Sequence, residues 1–160
     1  MVLLLYVTVG VAQDKKQAGE LKPVFDNYFQ VKDALVKSNG KMAATESAEL
    51  LAAIKAVKME SLTEAEHGAW MKVLSELKED AEHISETNDV GHQRDHFITL
   101  SKNVYALIKV SGVGSPVYYQ HCPMANKGKG ADWLSLDSGI KNPYYGSQML
   151  TCGKTVETIK

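Results

Sequence analysis

The chain has 160 residues, with 18 lysine and arginine residues against 19 aspartates and glutamates and a formal net charge of −1. That length suffices for one domain with a real hydrophobic core. Charges of both signs are spread along the sequence, which argues against a basic nucleic-acid surface.

Val2 to Ala12 is an uncharged apolar run ending in Val9-Gly10-Val11-Ala12, followed by Gln13-Asp14-Lys15-Lys16. It is shorter than the roughly 20 residues a membrane span needs. Its apolar stretch and small-residue exit fit a secretory leader, although the basic residues that usually precede such a run are missing. Residues 1–12 are therefore expected to be the remnant of a signal peptide. Residues 13–160 are expected to form a single exported, periplasmic domain, with no membrane insertion of the mature chain. Export would place its cysteines where they can pair.

Leu21-Lys22-Pro23-Val24 reads as a helix start, because proline is tolerated in the first turn. Val24, Tyr28, Val31 and Leu35 recur at helical spacing, which predicts a helix from about Pro23 to Ser38, stopped by Asn39-Gly40. Lys41 to Val57 is rich in strong helix formers, with Leu50, Ile54 and Val57 on one side. Thr63 and Glu66 fit a capping box at the head of a third helix carrying Trp70, Met71, Leu74, Leu77 and Ile84. Asn88 or Asp89 caps a fourth, with Phe97, Leu100, Val104, Leu107 and Ile108 as its buried stripe. Ser111 to Pro116 ends it. Four amphipathic helices on short connections predict a mainly α protein: an antiparallel four-helix bundle over about residues 21–111.

From Val117 the periodicity gives way to glycine, proline, tyrosine and sulfur. Val117-Tyr118-Tyr119-Gln120 reads as a short strand and Thr155 to Ile159 as a closing one. Asn126 to Gly130 reads as a loop, and Asn142-Pro143-Tyr144-Tyr145-Gly146 as a turn. A loop/β lobe over about 117–160 is too small for its own core and must lean on the bundle. Trp133, Tyr144 and Tyr145 are expected to anchor it there.

This lobe holds both cysteines of the chain. His121 and Met124 flank Cys122, and Met149 precedes Cys152 by three. Thiolates, thioethers and an imidazole form a soft donor set that suits Cu(I) or Ag(I), whereas methionine is a poor ligand for zinc. The metal-ligand candidates are therefore His121, Cys122, Met124, Met149 and Cys152. The competing reading is a Cys122–Cys152 disulfide that clamps the lobe as a docking surface for an envelope partner. Spacing does not decide between the two, and on donor chemistry they stand level.

Tyr118 to Ala125, Trp133-Leu134-Ser135, Ile140 to Gly146 and Met149 to Gly153, with His92-Gln93-Arg94, Phe97 and Leu100-Ser101 in the fourth helix, carry a resemblance. Together they resemble an uncharacterised bacterial periplasmic domain family. That family occurs alone and fused to the membrane-fusion (adaptor) subunits of copper/silver efflux systems. Cys122-Pro123-Met124 is also similar to the short heavy-metal-binding motif of such adaptors, with Ala125 where that motif has histidine. The resemblance implies a helical domain, copper or silver handling in heavy-metal resistance, and a pump's adaptor subunit as partner. It favours metal over a purely structural bridge.

His92 and His96 lie one helical turn apart and are candidates for a second, weaker site for Cu(II) or Zn(II). His67 and His83 have no partner at such spacing and read as surface residues. Arg94 stands alone among seventeen lysines. Its planar fork suggests a bidentate carboxylate pair between the fourth helix and the lobe. No nucleophile elbow, phosphate loop, HExxH or CxxC is present, so a binding protein rather than an enzyme is expected.

Overall fold

The computed structural model describes residues 19–160. The apolar run Val2–Ala12, and with it the expected leader, lies outside the described residues. Four long helices come first: α1 (Lys22–Val36), α2 (Gly40–Ala56), α3 (Glu64–Ser85) and α4 (Val90–Ser111). Three strands follow: β1 (Val117–Cys122), β2 (Ala131–Ser135) and β3 (Lys154–Ile159). Each helix packs on its neighbour in sequence, and α1 also meets α4, which closes an antiparallel bundle. No described helix is long and apolar enough to cross a membrane.

The helix ends follow local chemistry. Pro23 sits in the first turn of α1. Asn39 serves both helices: its backbone N–H bonds the Ala34 carbonyl at 3.0 Å and closes α1, and its side chain accepts from the Met42 N–H at 3.0 Å and opens α2. The chain reverses one residue earlier, at Ser38, where φ is +53°. The Thr63–Glu66 capping box at the head of α3 is present in both directions. Asp89 caps α4 by accepting from the N–H groups of Gly91 and His92. Such caps satisfy amides that a helix start otherwise leaves without partners.

Trp70, Val73, Leu77, Ala81 and Ile84 of α3 face Phe97, Leu100, Val104, Leu107 and Ile108 of α4 in the core. Met71, expected in the α3 stripe, is 54% exposed, and Val73 takes the inward position. Met59 is exposed as well, while Met42 is half-buried against the core. Gln93, fully buried on α4, donates to the carbonyls of Gly40, Ile84 and Thr87, so one amide stitches the α3–α4 turn to the head of α2. Ser47 does the same between α2 and α3 by donating to the Ala81 carbonyl.

The strands form one antiparallel sheet in the order β2-β1-β3. β2 was not foreseen: Trp133 anchors the lobe, as its size suggests, but from a strand rather than a loop. Trp133 and Leu134 are fully buried, and β2 lies against α4 and α1. The seam is pinned by Tyr28 of α1. Its hydroxyl accepts from the Leu134 N–H at 3.0 Å and pairs with Ser101 Oγ of α4 at 2.8 Å. Its ring stacks on Phe97. Burial holds its ionisation far above the ordinary tyrosine range, so it acts as a neutral phenol.

Arg94 does bridge α4 and the lobe, but its partners are not carboxylates. Nε donates to the Pro143 carbonyl, and Nη2 to the Leu35 carbonyl and to Ser38 Oγ. The guanidinium thus braces the capped end of α1, where the Leu35 carbonyl also accepts from the Ser38 N–H. Gly146 closes onto the same spot. A Cβ there would lie 2.4 Å from Ser38 Oγ and 2.9 Å from the Val36 carbonyl, at a φ of +56°.

Tyr28→Phe keeps the ring packing but leaves the buried Leu134 amide without its acceptor. A loss of about 1–3 kcal/mol is expected. Urea unfolding would report it as a lowered midpoint with an unchanged slope.

Candidate metal centre

Successive residues of a strand point to opposite faces. In β1, Gln120 and Cys122 turn inward and His121 turns out. Cys122 is fully buried at the end of the strand, against the core. β3 runs antiparallel beside it, with His121 opposite Lys154, so the residues just before β3 pass the end of β1. Cys152 is among them. The two sulfurs, thirty residues apart in sequence, lie 3.2 Å from each other, and both cysteines are free thiols.

The lobe's remaining signature residues hold this approach. Asn142, fully buried, donates from its side chain to the Cys152 carbonyl at 2.8 Å. Its backbone N–H bonds the Leu150 carbonyl, and its side-chain oxygen accepts from the Tyr144 N–H. The Asn-Pro-Tyr-Tyr turn is therefore a clamp on the Cys152 segment. Tyr144 is nearly buried between Phe97 and Trp133, and its hydroxyl donates to the Asp132 carbonyl. Tyr145 donates to the Met124 carbonyl, which ties the turn to the segment after Cys122. At Gly153, with φ at +145°, an added Cβ would lie 2.8 Å from both the His121 carbonyl and the Trp133 ring. Only glycine lets the backbone beside Cys152 come this close to β1.

The other candidate ligands are placed differently. The His121 imidazole leaves β1 on the face opposite Cys122. Its Nδ1 is hydrogen-bonded to Asp132 Oδ1 at 2.7 Å, across the His121–Asp132 strand pair. Its ring covers Gly130. Met124 is 54% exposed just beyond Cys122, and Met149 is half-buried three residues before Cys152. Neither methionine lines the open recess at Cys152, which is bounded by His121, Pro123, Cys152, Gly153 and Lys154. The structure thus joins the two thiols directly and puts the thioethers on the two loops that carry them.

A separation of 3.2 Å suits two outcomes. Two thiolates sharing one ion at bonds of about 2.3 Å sit about 3.8 Å apart at a tetrahedral angle, which a small side-chain rotation supplies. A disulfide, with its bond of about 2.05 Å, asks for movement the other way, a closure of about 1.2 Å. The donor chemistry fits a soft ion: two sulfurs in reach, with thioethers adjacent and carboxylates absent from the recess. The Cys152 thiol is pushed above the usual cysteine range, first by its hydrogen bond with Cys122 and then by burial. An activated nucleophile needs the reverse shift.

His92 and His96, one turn apart on α4, have ring centres 4.8 Å apart. His83, read from the sequence as a lone surface residue, joins them from the last turn of α3, its ring parallel to that of His96 at 4.4 Å. Helical spacing reveals the first pair. The third member follows only once α3 and α4 are folded back antiparallel about the turn at 86–89, which sets residues on either side of it face to face.

Residues 24–115 match a family described as a protein of unknown function (DUF3347), which is more than half of the chain. The match covers the four helices and ends before β1, whereas the sequence resemblance was carried most strongly by the lobe. No curated protein and no solved structure is significantly similar to the chain.

The contact between the thiols has a titration signature. In the reduced protein Cys152 stays protonated, and slow to alkylate, until the pH passes the ordinary thiol range near about 8.5. Cys122→Ala removes the largest cause of that shift. The midpoint of Cys152 alkylation against pH should therefore move down, read by mass spectrometry at timed quench points.

Proposed function

The chain belongs to this family of unknown function, and we propose that it is a periplasmic soft-metal-binding protein that takes Cu(I) or Ag(I) on Cys122 and Cys152. It buffers the ion or passes it on in connection with heavy-metal efflux. The observation that carries this reading is the 3.2 Å approach of the two sulfurs, with Cys152 opening onto a recess and Cys122 buried behind it. Cys122 supplies a buried, positionally fixed sulfur and Cys152 a more accessible one. Met124 and Met149 add soft, permanently unprotonated donors on the loops beside them. His121, bonded to Asp132 through Nδ1, borders the same recess as Cys152 and is a further candidate ligand. A rigid frame with one accessible sulfur suits exchange: an incoming thiolate or thioether on a partner can reach the ion from the recess side. The run at Val2–Ala12 supports export, and the family resemblance of the lobe supports an efflux adaptor as the recipient.

Loading displaces the thiol protons, and both must leave before both sulfurs bind an ion. The raised Cys152 therefore makes apparent affinity climb with pH through the thiol range. The same contact also supports a second reading, in which oxidation closes Cys122 to Cys152 and the clamped lobe docks on an envelope partner without metal.

Anaerobic titration of the reduced protein with Cu(I), against a chromophoric chelator of known affinity, tests the first reading. One ion per chain is expected. Cys122→Ser and Cys152→Ser should each weaken binding by more than the roughly 10–100-fold that losing a hydrogen bond to a metal ligand costs. Met124→Leu and Met149→Leu should weaken it less. Unchanged affinity in both cysteine variants would exclude the site and leave the docking reading.

A further inference from the structure

We propose that His83, His92 and His96 form a second metal site, for a divalent ion that prefers imidazole, Cu(II) or Zn(II). It lies on the flank of the bundle where α3 meets α4 and uses no residue of the lobe. Taking one ligand nitrogen from each residue, all three lie within 4.8 Å of one another. Three nitrogens around one ion at bonds of about 2.0–2.1 Å stand about 3.4 Å apart. The required contraction is therefore at most about 1.4 Å, within reach of χ rotations in side chains that reach solvent. The rings of His83 and His96 are parallel within 3°, with His92 inclined to both. Turning His83 about its Cβ–Cγ bond converts this stack into a convergent set.

The second observation is what stands behind His96. Asp80, 6% exposed and one helical turn before His83 in sequence terms, meets His96 Nδ1 through Oδ1 at 2.9 Å. Its other oxygen, Oδ2, is buried without a hydrogen-bond partner. A buried carboxylate is costly unless it is paired and hydrogen-bonded, and only one of the two Asp80 oxygens has a partner. With His96 Nδ1 donating to it, the imidazole is fixed in the tautomer whose Nε2 is free for an ion. This is the carboxylate–histidine arrangement that orients ligands in many metal sites. Glu76, Glu79 and Asp95 line the adjacent recess with Asp80 and His96, and their field favours a cation. Three imidazoles leave a coordination position for water, and a nitrogen-only set selects Cu(II) and Zn(II) over the soft Cu(I) of the thiol pair. The two sites would therefore sort copper by oxidation state within one chain.

The test uses tag-free protein carrying Cys122→Ser and Cys152→Ser, so that the thiol pair contributes nothing. Zn(II) is titrated by calorimetry, and Cu(II) is followed by electron paramagnetic resonance. One equivalent of each ion is expected, with nitrogen hyperfine structure on the copper signal. His83→Ala, His92→Ala and His96→Ala should each lower affinity at least about tenfold. Asp80→Asn, which keeps the shape but not the charge, should lower it about 10–100-fold. His67→Ala should leave it unchanged, and circular dichroism should confirm that all variants remain helical. If His83→Ala binds both ions as tightly as its parent, or if the copper signal lacks nitrogen structure, the proposal is overturned.

Discussion

Everything proposed for the lobe depends on the close approach of the Cys152 segment to the end of β1. Two features enforce it. Gly153 removes the side chain that would strike the His121 carbonyl and the Trp133 ring. Asn142 holds the segment from the other side through bonds to the carbonyls of Cys152 and Leu150. The lobe that carries the sheet is too small to enclose a core of its own. It inherits order from the bundle through Tyr28, whose hydroxyl satisfies the Leu134 amide on the edge of β2 that β1 does not cover. A phenol on α1 thus sets the position of a strand, the strand sets β1, and β1 sets the sulfur.

Much of this was legible in the sequence, and the limits have physical causes. Helix starts are local, so Thr63 with Glu66 and Asp89 announced themselves through side chains that bond to amides within three residues. Asn39-Gly40 reads as a stop alone, but Asn39 ends α1 through its backbone N–H and opens α2 through its side chain. β2 escaped notice because residues 131–135 are buried almost throughout and follow a glycine-rich turn, which gives neither an alternating nor a helical pattern. Arg94 is a bridge, as its solitude suggests, but it bonds two backbone carbonyls and the Ser38 hydroxyl, which no pattern of charges records.

The candidate sites divide in the same way. Donor type was readable, and distance was not. Nothing in a thirty-residue separation says that Cys122 and Cys152 touch, and adjacency in sequence does not put the His121 ring beside Cys122, since neighbours on a strand face opposite ways. His83 shows the converse: no local partner, yet a neighbour of both α4 histidines once the helices pair. The outcome is a chain with sulfur gathered at one end of the sheet and imidazole on one flank of the bundle, two donor sets of different softness on a common frame.

The most direct test of the central claim is X-ray absorption at the copper edge on the reduced protein loaded with one equivalent of Cu(I). The account predicts a first shell dominated by sulfur, with at least two scatterers that are lost when Cys122 and Cys152 are both replaced by serine. A shell of nitrogen and oxygen alone, or a sulfur shell that survives the double replacement, would contradict it.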